Sequence, residues 1–127
     1  MEKINPVVWF EVYVEDIERA VSFYENVLEV TLEDMSDPSN SSILMKCFPG
    51  DMKNYGASGA LVKMDGVTPS ANGSIIYFGC DDCKVLEKRV IDHGGEIIQS
   101  KMAIGEHGFV SLSKDTEGNS IGFHSRN

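Results

Sequence analysis

The sequence predicts an α+β fold built from two βαβββ modules whose curved mixed sheets surround a cup. Three observations carry that expectation. Residues 9–14 alternate with a period of two and lead to an aspartate at position 16. The same pattern returns without a gap when Trp9 is laid over Ile75, so that Phe10 matches Ile76, Val12 matches Phe78, Val14 matches Cys80 and Asp16 matches Asp82. Each copy is followed by one helical stripe and then by three short strand-like runs separated by turn residues.

In the first strand Phe10, Val12 and Val14 share one face, and Trp9, Glu11 and Tyr13 the other. Asp16 can accept a hydrogen bond from the free N–H groups of the next turn and so reads as an N-cap, with Glu18 at the positive end of the helix dipole. Ile17, Ala20, Val21, Tyr24, Val27 and Leu28 then recur at three- and four-residue steps. A second strand is expected at 30–33, followed by a turn-rich segment at 36–42 containing Asp37, Pro38 and Asn40. Strands at 43–48 and 60–64 flank a loop at 49–59 that is placed to border a pocket. Residues 65–73, with Gly66, Pro69 and Gly73, form a linker.

The second module opens with the strand after Gly73. Its helix spans 83 to about 93, with Cys83, Leu86 and Val90 on one side, and Gly94–Gly95 supplies a left-handed stop. Strands follow at 96–100, 108–113 and 120–124, with turns at 104–108 and 115–119. The chain thus reads as a single domain over 1–127: module one at about 4–64, the linker at 65–73, and module two at about 74–125. One module alone would leave a sheet face and both edges bare, so the two are expected to fold as one body. Phe10, Val12, Val14, Ile76, Phe78 and Cys80 belong under the helices. In the last strands Val110, Leu112, Ile121 and Phe123 form the apolar set, which leaves Phe109, Ser111, Gly122 and His124 for the other side. Glu11, Tyr77, Ser111 and His124 are therefore expected on one concave surface.

Composition narrows the partners. Eleven Lys and Arg against 20 Asp and Glu give a net charge of −9, which argues against sequence-independent binding to nucleic acid or an anionic bilayer. No apolar run is long enough to span a membrane and no leader precedes the first strand, so a cytoplasmic protein that binds small molecules is expected. Three cysteines, Cys47, Cys80 and Cys83, are an odd, sparse set that points to free thiols.

The duplicated pattern, the VEDIERAVSFYENVL helix start and the DTEGNSIGFHS ending together resemble the vicinal oxygen chelate superfamily, which includes glyoxalase I, extradiol dioxygenases and bleomycin-resistance proteins. WFE in strand one, GALV in strand four, AIGEHGF before strand seven and IGFHS at the end look like its glyoxalase-related branch. The resemblance implies a homodimer and, in metal-using members, four ligand positions. Here these fall on Trp9, Ile75, Gly122 and either Val62 or Lys63. None suits a divalent cation at neutral pH. Lactoylglutathione lyase activity is accordingly not expected, because it depends on a metal to polarise the substrate.

Two residues further along the same strand faces stand Glu11, Tyr77 and His124, displaced by about 6.6 Å. Glu11 and His124 are the candidate catalytic pair, for proton transfer or for holding Zn, Ni, Mn or Fe through two protein ligands and water. The plainer alternative is that a nearby Lys or Tyr neutralises Glu11 and that His124 is exposed. Trp9, Tyr13 and Phe109 are candidates for an aromatic wall, and Tyr77 and Ser111 for further ligand contacts. Glu106, with His107, lies in a glycine-bounded loop that the resemblance puts at the rim. Cys80 and Cys83 have CxxC spacing, but two aspartates lie between them and oppose thiolate formation. His93 is expected at a helix C-terminus. Two functions follow: an enzyme of the lyase or isomerase type acting on a small oxygenated molecule, or a non-catalytic binding protein of the bleomycin-resistance kind.

Overall fold

Two four-stranded mixed sheets carry the chain in a computed structural model that describes residues 5–36, 40, 42–51, 53–71 and 73–127. The elements run β1 (Trp9–Tyr13), α1 (Ile17–Leu28), β2 (Glu33–Asp34), β3 (Ile43–Cys47), β4 (Ser58–Met64), β5 (Ile76–Gly79), α2 (Cys83–Asp92), β6 (Glu96–Ala103), a 3₁₀ turn at Gly105–His107, β7 (Phe109–Lys114) and β8 (Ser120–Ser125). One sheet has the order β1-β4-β3-β2 and the other β5-β8-β7-β6. In each, the first strand pairs in parallel with the last and the remaining pairs are antiparallel. This is the βαβββ repeat expected from the sequence. The turn expected at Asp37 and Pro38 lies outside the described residues.

Both caps form as the aspartates dictate: Asp16 accepts from the Arg19 N–H at 3.0 Å and Asp82 from the Lys84 N–H at 2.9 Å. Helix α1 stops at Glu29, which is left-handed (φ 55°), and α2 gives way to Gly94 at φ 93°. The core lies between the helices and one face of each sheet, where Val12, Val14, Tyr24, Val27, Leu61, Val90 and Phe123 are buried. Phe23 is buried with them although the expected stripe did not include it. Phe10 and Phe78, from different modules, meet edge to face at 6.1 Å, and Phe48 packs on both at 5.7 Å. Phe48, the buried one of the three, contributes about 1.5–3 kcal/mol, and the partly buried Phe10 and Phe78 less.

Four expectations need correction. The second strand is confined to Glu33–Asp34 because Leu32 is drawn into the core, its N–H donated to Glu25 at 2.8 Å. Strand β4 starts two residues early, at Ser58, to pair with Trp9. Strand β6 runs on to Ala103 through two register shifts, which absorb residues that a regular ladder could not pair. The face assignment in β7 is reversed. Ser111 is opposite Phe123 and Ser113 opposite Ile121, whereas Val110 is opposite His124 and Leu112 opposite Gly122. Directly paired residues share a face, so Phe109 and Ser111 lie on the helix side, and Val110 and Leu112 on the open side with His124. Hydrophobicity misleads here because the fully buried Ser111 and Ser113 are small enough to sit beneath a packed helix. Their hydroxyls have no hydrogen-bond partner among the described residues.

Candidate functional site

Strands β1 and β5 are the terminal strands of their sheets, and no ladder joins them. Among the described residues no backbone–backbone hydrogen bond crosses from one module to the other, and β1 brings Trp9, Glu11 and Tyr13 to its helix-free face. The alternation has a chemical consequence. The Trp9 indole N–H donates to one Glu11 oxygen at 3.2 Å, and the Tyr13 hydroxyl donates to the other at 2.6 Å. Its bond to Glu11, with some burial, raises the Tyr13 phenol above its usual range. Among the described residues no Lys, Arg or His lies within ion-pair distance of Glu11. The carboxylate is thus held at both oxygens by neutral donors and keeps further lone pairs for a ligand.

Glu11 and Tyr13 open onto a cleft of about 210 Å³ whose walls combine Thr68, Ser70, Ser74 and Asn119 with Val12, Pro69, Ile76 and Ile121. The interdomain-style linker therefore forms one wall of the cleft. Buried Asn119 fastens that wall: its side-chain N–H donates to the Tyr13 carbonyl at 2.9 Å, and its oxygen accepts from the Ser70 N–H at 2.9 Å. Asn119 is fixed in turn by Asp115. That carboxylate accepts from the Glu117 and Asn119 N–H groups at 2.8 and 2.9 Å, from the Asn119 side chain at 3.1 Å, and from the buried Tyr24 hydroxyl at 2.5 Å. Burial, reinforced by Asp115, pushes the Tyr24 phenol well above its normal range.

The same turn reaches the start of α1. Glu117 accepts from the Glu15 and Asp16 N–H groups at 3.0 and 2.9 Å and from Arg19 at 2.6 and 2.9 Å. Burial acts to raise its pKa, but Arg19, the Asp16 N–H, Thr116 and the Glu15 N–H prevail and hold it at about 2. Thr68, Ser70, Ser74, Asp115 and Asn119 were not among the expected site residues. Of these, only the aspartate and asparagine bracketing the DTEGN turn gave a readable signal, as side chains that bond their own backbone.

The other expected residues are dispersed. His124 sits on the open face of β8, half-buried, with its Nε2 at 2.6 Å from the His107 carbonyl, so that nitrogen carries the proton. No hydrogen bond or ion pair joins it to Glu11, and it does not line the Glu11 cleft. Tyr77 lies on the open face, where its ring covers Gly122: a Cβ there would come within 2.5 Å of the ring. Phe109 lies under Lys101, whose ammonium is 4.6 Å from the ring centre, and Ser111 is beneath α2. Both are therefore removed from the concave surface expected to hold them. Glu106 is exposed and 3.8 Å from His107. Cys80 borders a separate cleft, its thiol pushed up to about 12 by burial, by Cys83 and by the neighbouring aspartates. His93 bonds the Arg89 carbonyl at 2.9 Å at the end of α2.

The four-ligand metal arrangement does not fit this chain. An indole, an isoleucine, a glycine roofed by a tyrosine ring, and a valine or lysine supply no donor set for a divalent cation. Among the described residues, no group of three or more His, Cys, Asp or Glu side chains is placed to share one. Also among them, no helix is long and apolar enough to cross a membrane.

Residues 3–123 match the family model described as Glyoxalase/Bleomycin resistance protein/Dioxygenase superfamily. No curated protein sequence matches the chain. Among solved structures, glyoxalase I from Zea mays superposes with a TM-score of 0.73 at 18% identity, covering 95% of this chain and 46% of the maize chain. The chain thus spans about half the length of that relative. A glyoxalase/bleomycin resistance protein from Albidiferax ferrireducens T118 gives 0.68 at 18% identity, covering 96% of this chain and 100% of that one. The trypanothione-dependent glyoxalase I of Leishmania major gives 0.70 at 18% identity, covering 97% and 88%. At these identities the likeness is one of fold.

Proposed function

Because the chain belongs to the Glyoxalase/Bleomycin resistance protein/Dioxygenase superfamily, whose fold hosts both enzymes and binding proteins, we propose that it binds a small oxygenated molecule at the cleft beside β1, with Glu11 as the anchor. The observation that supports this is the double clamp on the carboxylate by Trp9 and Tyr13. A carboxylate fixed at both oxygens and exposed beside the cleft selects a ligand that presents hydrogen-bond donors: a hydroxyl, an amide N–H or an ammonium. The net charge of −9 favours a neutral or cationic molecule over an anion. The proposed role is binding: His124 bonds the His107 carbonyl and does not line the cleft that holds Glu11, so the two are not placed as a proton-transfer pair.

The test is thermal unfolding with a panel of small polyols, amides and amines, followed by calorimetry on those that act. A specific ligand at a hundred times its Kd adds about 2.7 kcal/mol and raises the midpoint by a few degrees. Glu11→Gln, which leaves the clamp's shape but removes the charge, is expected to weaken an ammonium ligand at least tenfold. A ligand whose affinity is unchanged in that variant would refute Glu11 as the anchor.

A further inference from the structure

The seam between β1 and β5 opens again at its other end, and what lies there is chemically unlike the Glu11 cleft. The second opening has a volume of about 430 Å³ and is lined by Phe10, Phe48, Phe78, Val30, Tyr55 and Tyr77, together with backbone from 56–58 and Gly79. No acid, Lys, Arg or His contributes to it, in a chain where 24% of residues are charged. Its floor is the interlocked trio Phe10, Phe48 and Phe78, with ring centres 5.7 to 6.1 Å apart. Tyr55 stands at the rim, 95% exposed, and Tyr77 is 48% exposed.

Leu28, Pro49 and Ile76 complete the apolar lining. An uncharged aromatic hollow excludes ions, because none of its walls can replace their water. It favours flat rings, which can meet the edges of the phenylalanines and the faces of the tyrosines.

The geometry points to a second binding site, separate from the Glu11 cleft, that takes a neutral planar aromatic or heteroaromatic molecule of one or two rings. Its ligand packs on the Phe10, Phe48 and Phe78 floor, beside Gly79 and beneath Tyr55. The site does not depend on Glu11, so it stands or falls independently of the anchoring role proposed above.

The experiment is a titration of the full chain with indole as the neutral probe and indole-3-carboxylate as its charged counterpart, followed by NMR chemical shifts and calorimetry. Saturable indole binding, with the carboxylate at least tenfold weaker, is the expected result. Tyr55→Ala, a change at an exposed position that leaves the fold intact, should weaken indole binding several-fold. Glu11→Gln should leave it unchanged. Absence of saturable indole binding, equal binding of the carboxylate, or insensitivity to Tyr55→Ala would each overturn the assignment. So would a hollow occupied by a second copy of the chain, seen in sedimentation as a dimer that Tyr55→Ala dissociates while indole has no effect.

Discussion

The connection between β3 and β4 and the connection between β7 and β8 occupy the same place in the two modules, yet one spans residues 48–57 and the other only 115–119. The short one is a polar knot. Asp115 gathers four hydrogen bonds within it and to Tyr24, Glu117 seals the start of α1, and Asn119 closes the wall of the Glu11 cleft. In the long one, Phe48 donates to the Gly59 carbonyl of β4 at 2.9 Å, the bonds from Asn54 and Lys53 go only to Asp51, and Tyr55 is left in solvent. Among the described residues the start of α2 has no counterpart of Glu117: its cap Asp82 is instead held below its usual pKa by Lys101 of the same module, at 2.8 Å. The strands and helices repeat between the modules, and the difference in one connection sets the two ends of the seam apart. One end is fastened by hydrogen bonds, the other open and apolar.

The severest test of that contrast is Asp115→Ala. It would remove the acceptor of four hydrogen bonds and leave the buried Tyr24 hydroxyl without a partner. A buried donor left unsatisfied costs its full desolvation, so a loss of about 3–4 kcal/mol is expected. Urea unfolding that shows a loss below about 1 kcal/mol would mean that the knot does not hold the modules together.

Next in size is Glu117, whose effect depends on pH. Its folded-state pKa is about 2 against 4.5 for the free side chain, so between those values the unfolded chain binds the extra proton. The stabilisation is therefore complete above about pH 4.5 and is lost as the pH falls towards 2. At neutral pH Glu117→Gln should cost about 2 kcal/mol, since it removes the charge that Arg19 and the helix start rely on. The gap between the two proteins should close as the pH is lowered through that window. An unchanging gap would show that Glu117 titrates normally in the folded protein.

The sequence made the fold legible because both of its strongest signals are local. Alternation in β1 and β5 and the Asp16 and Asp82 caps depend only on neighbours, and both are seen. The contact between Tyr13 and Glu11 was also readable, because Tyr13 stands two residues away on the same strand face, although the phenol donates a hydrogen bond and leaves the carboxylate its charge. What could not be read depends on pairing between distant segments. Ser111 looks like a polar, outward residue until its place opposite Phe123 is known. His124 looks available until the turn at Gly105–His107 brings a carbonyl to it. Thr68, Ser70 and Ser74 belong to a linker whose composition announces only a turn, and Asn119 makes a cleft wall of it from 49 residues away.

The smallest expected effect is the most discriminating for the open end. Tyr55→Ala removes a large aromatic side chain, but one that is 95% exposed and so buries almost nothing. If the long connection is structurally idle, stability should change by less than about 0.5 kcal/mol, the usual range for a surface substitution away from a network. The equivalent cut in the short connection, at Asp115, is expected to cost several times more. A loss above about 1 kcal/mol on Tyr55→Ala, measured by urea unfolding, would show that the ring is folded down over the apolar hollow in solution. The two connections would then differ in what they use to close the seam, aromatic contact on one side and hydrogen bonds on the other, and both ends would be fastened.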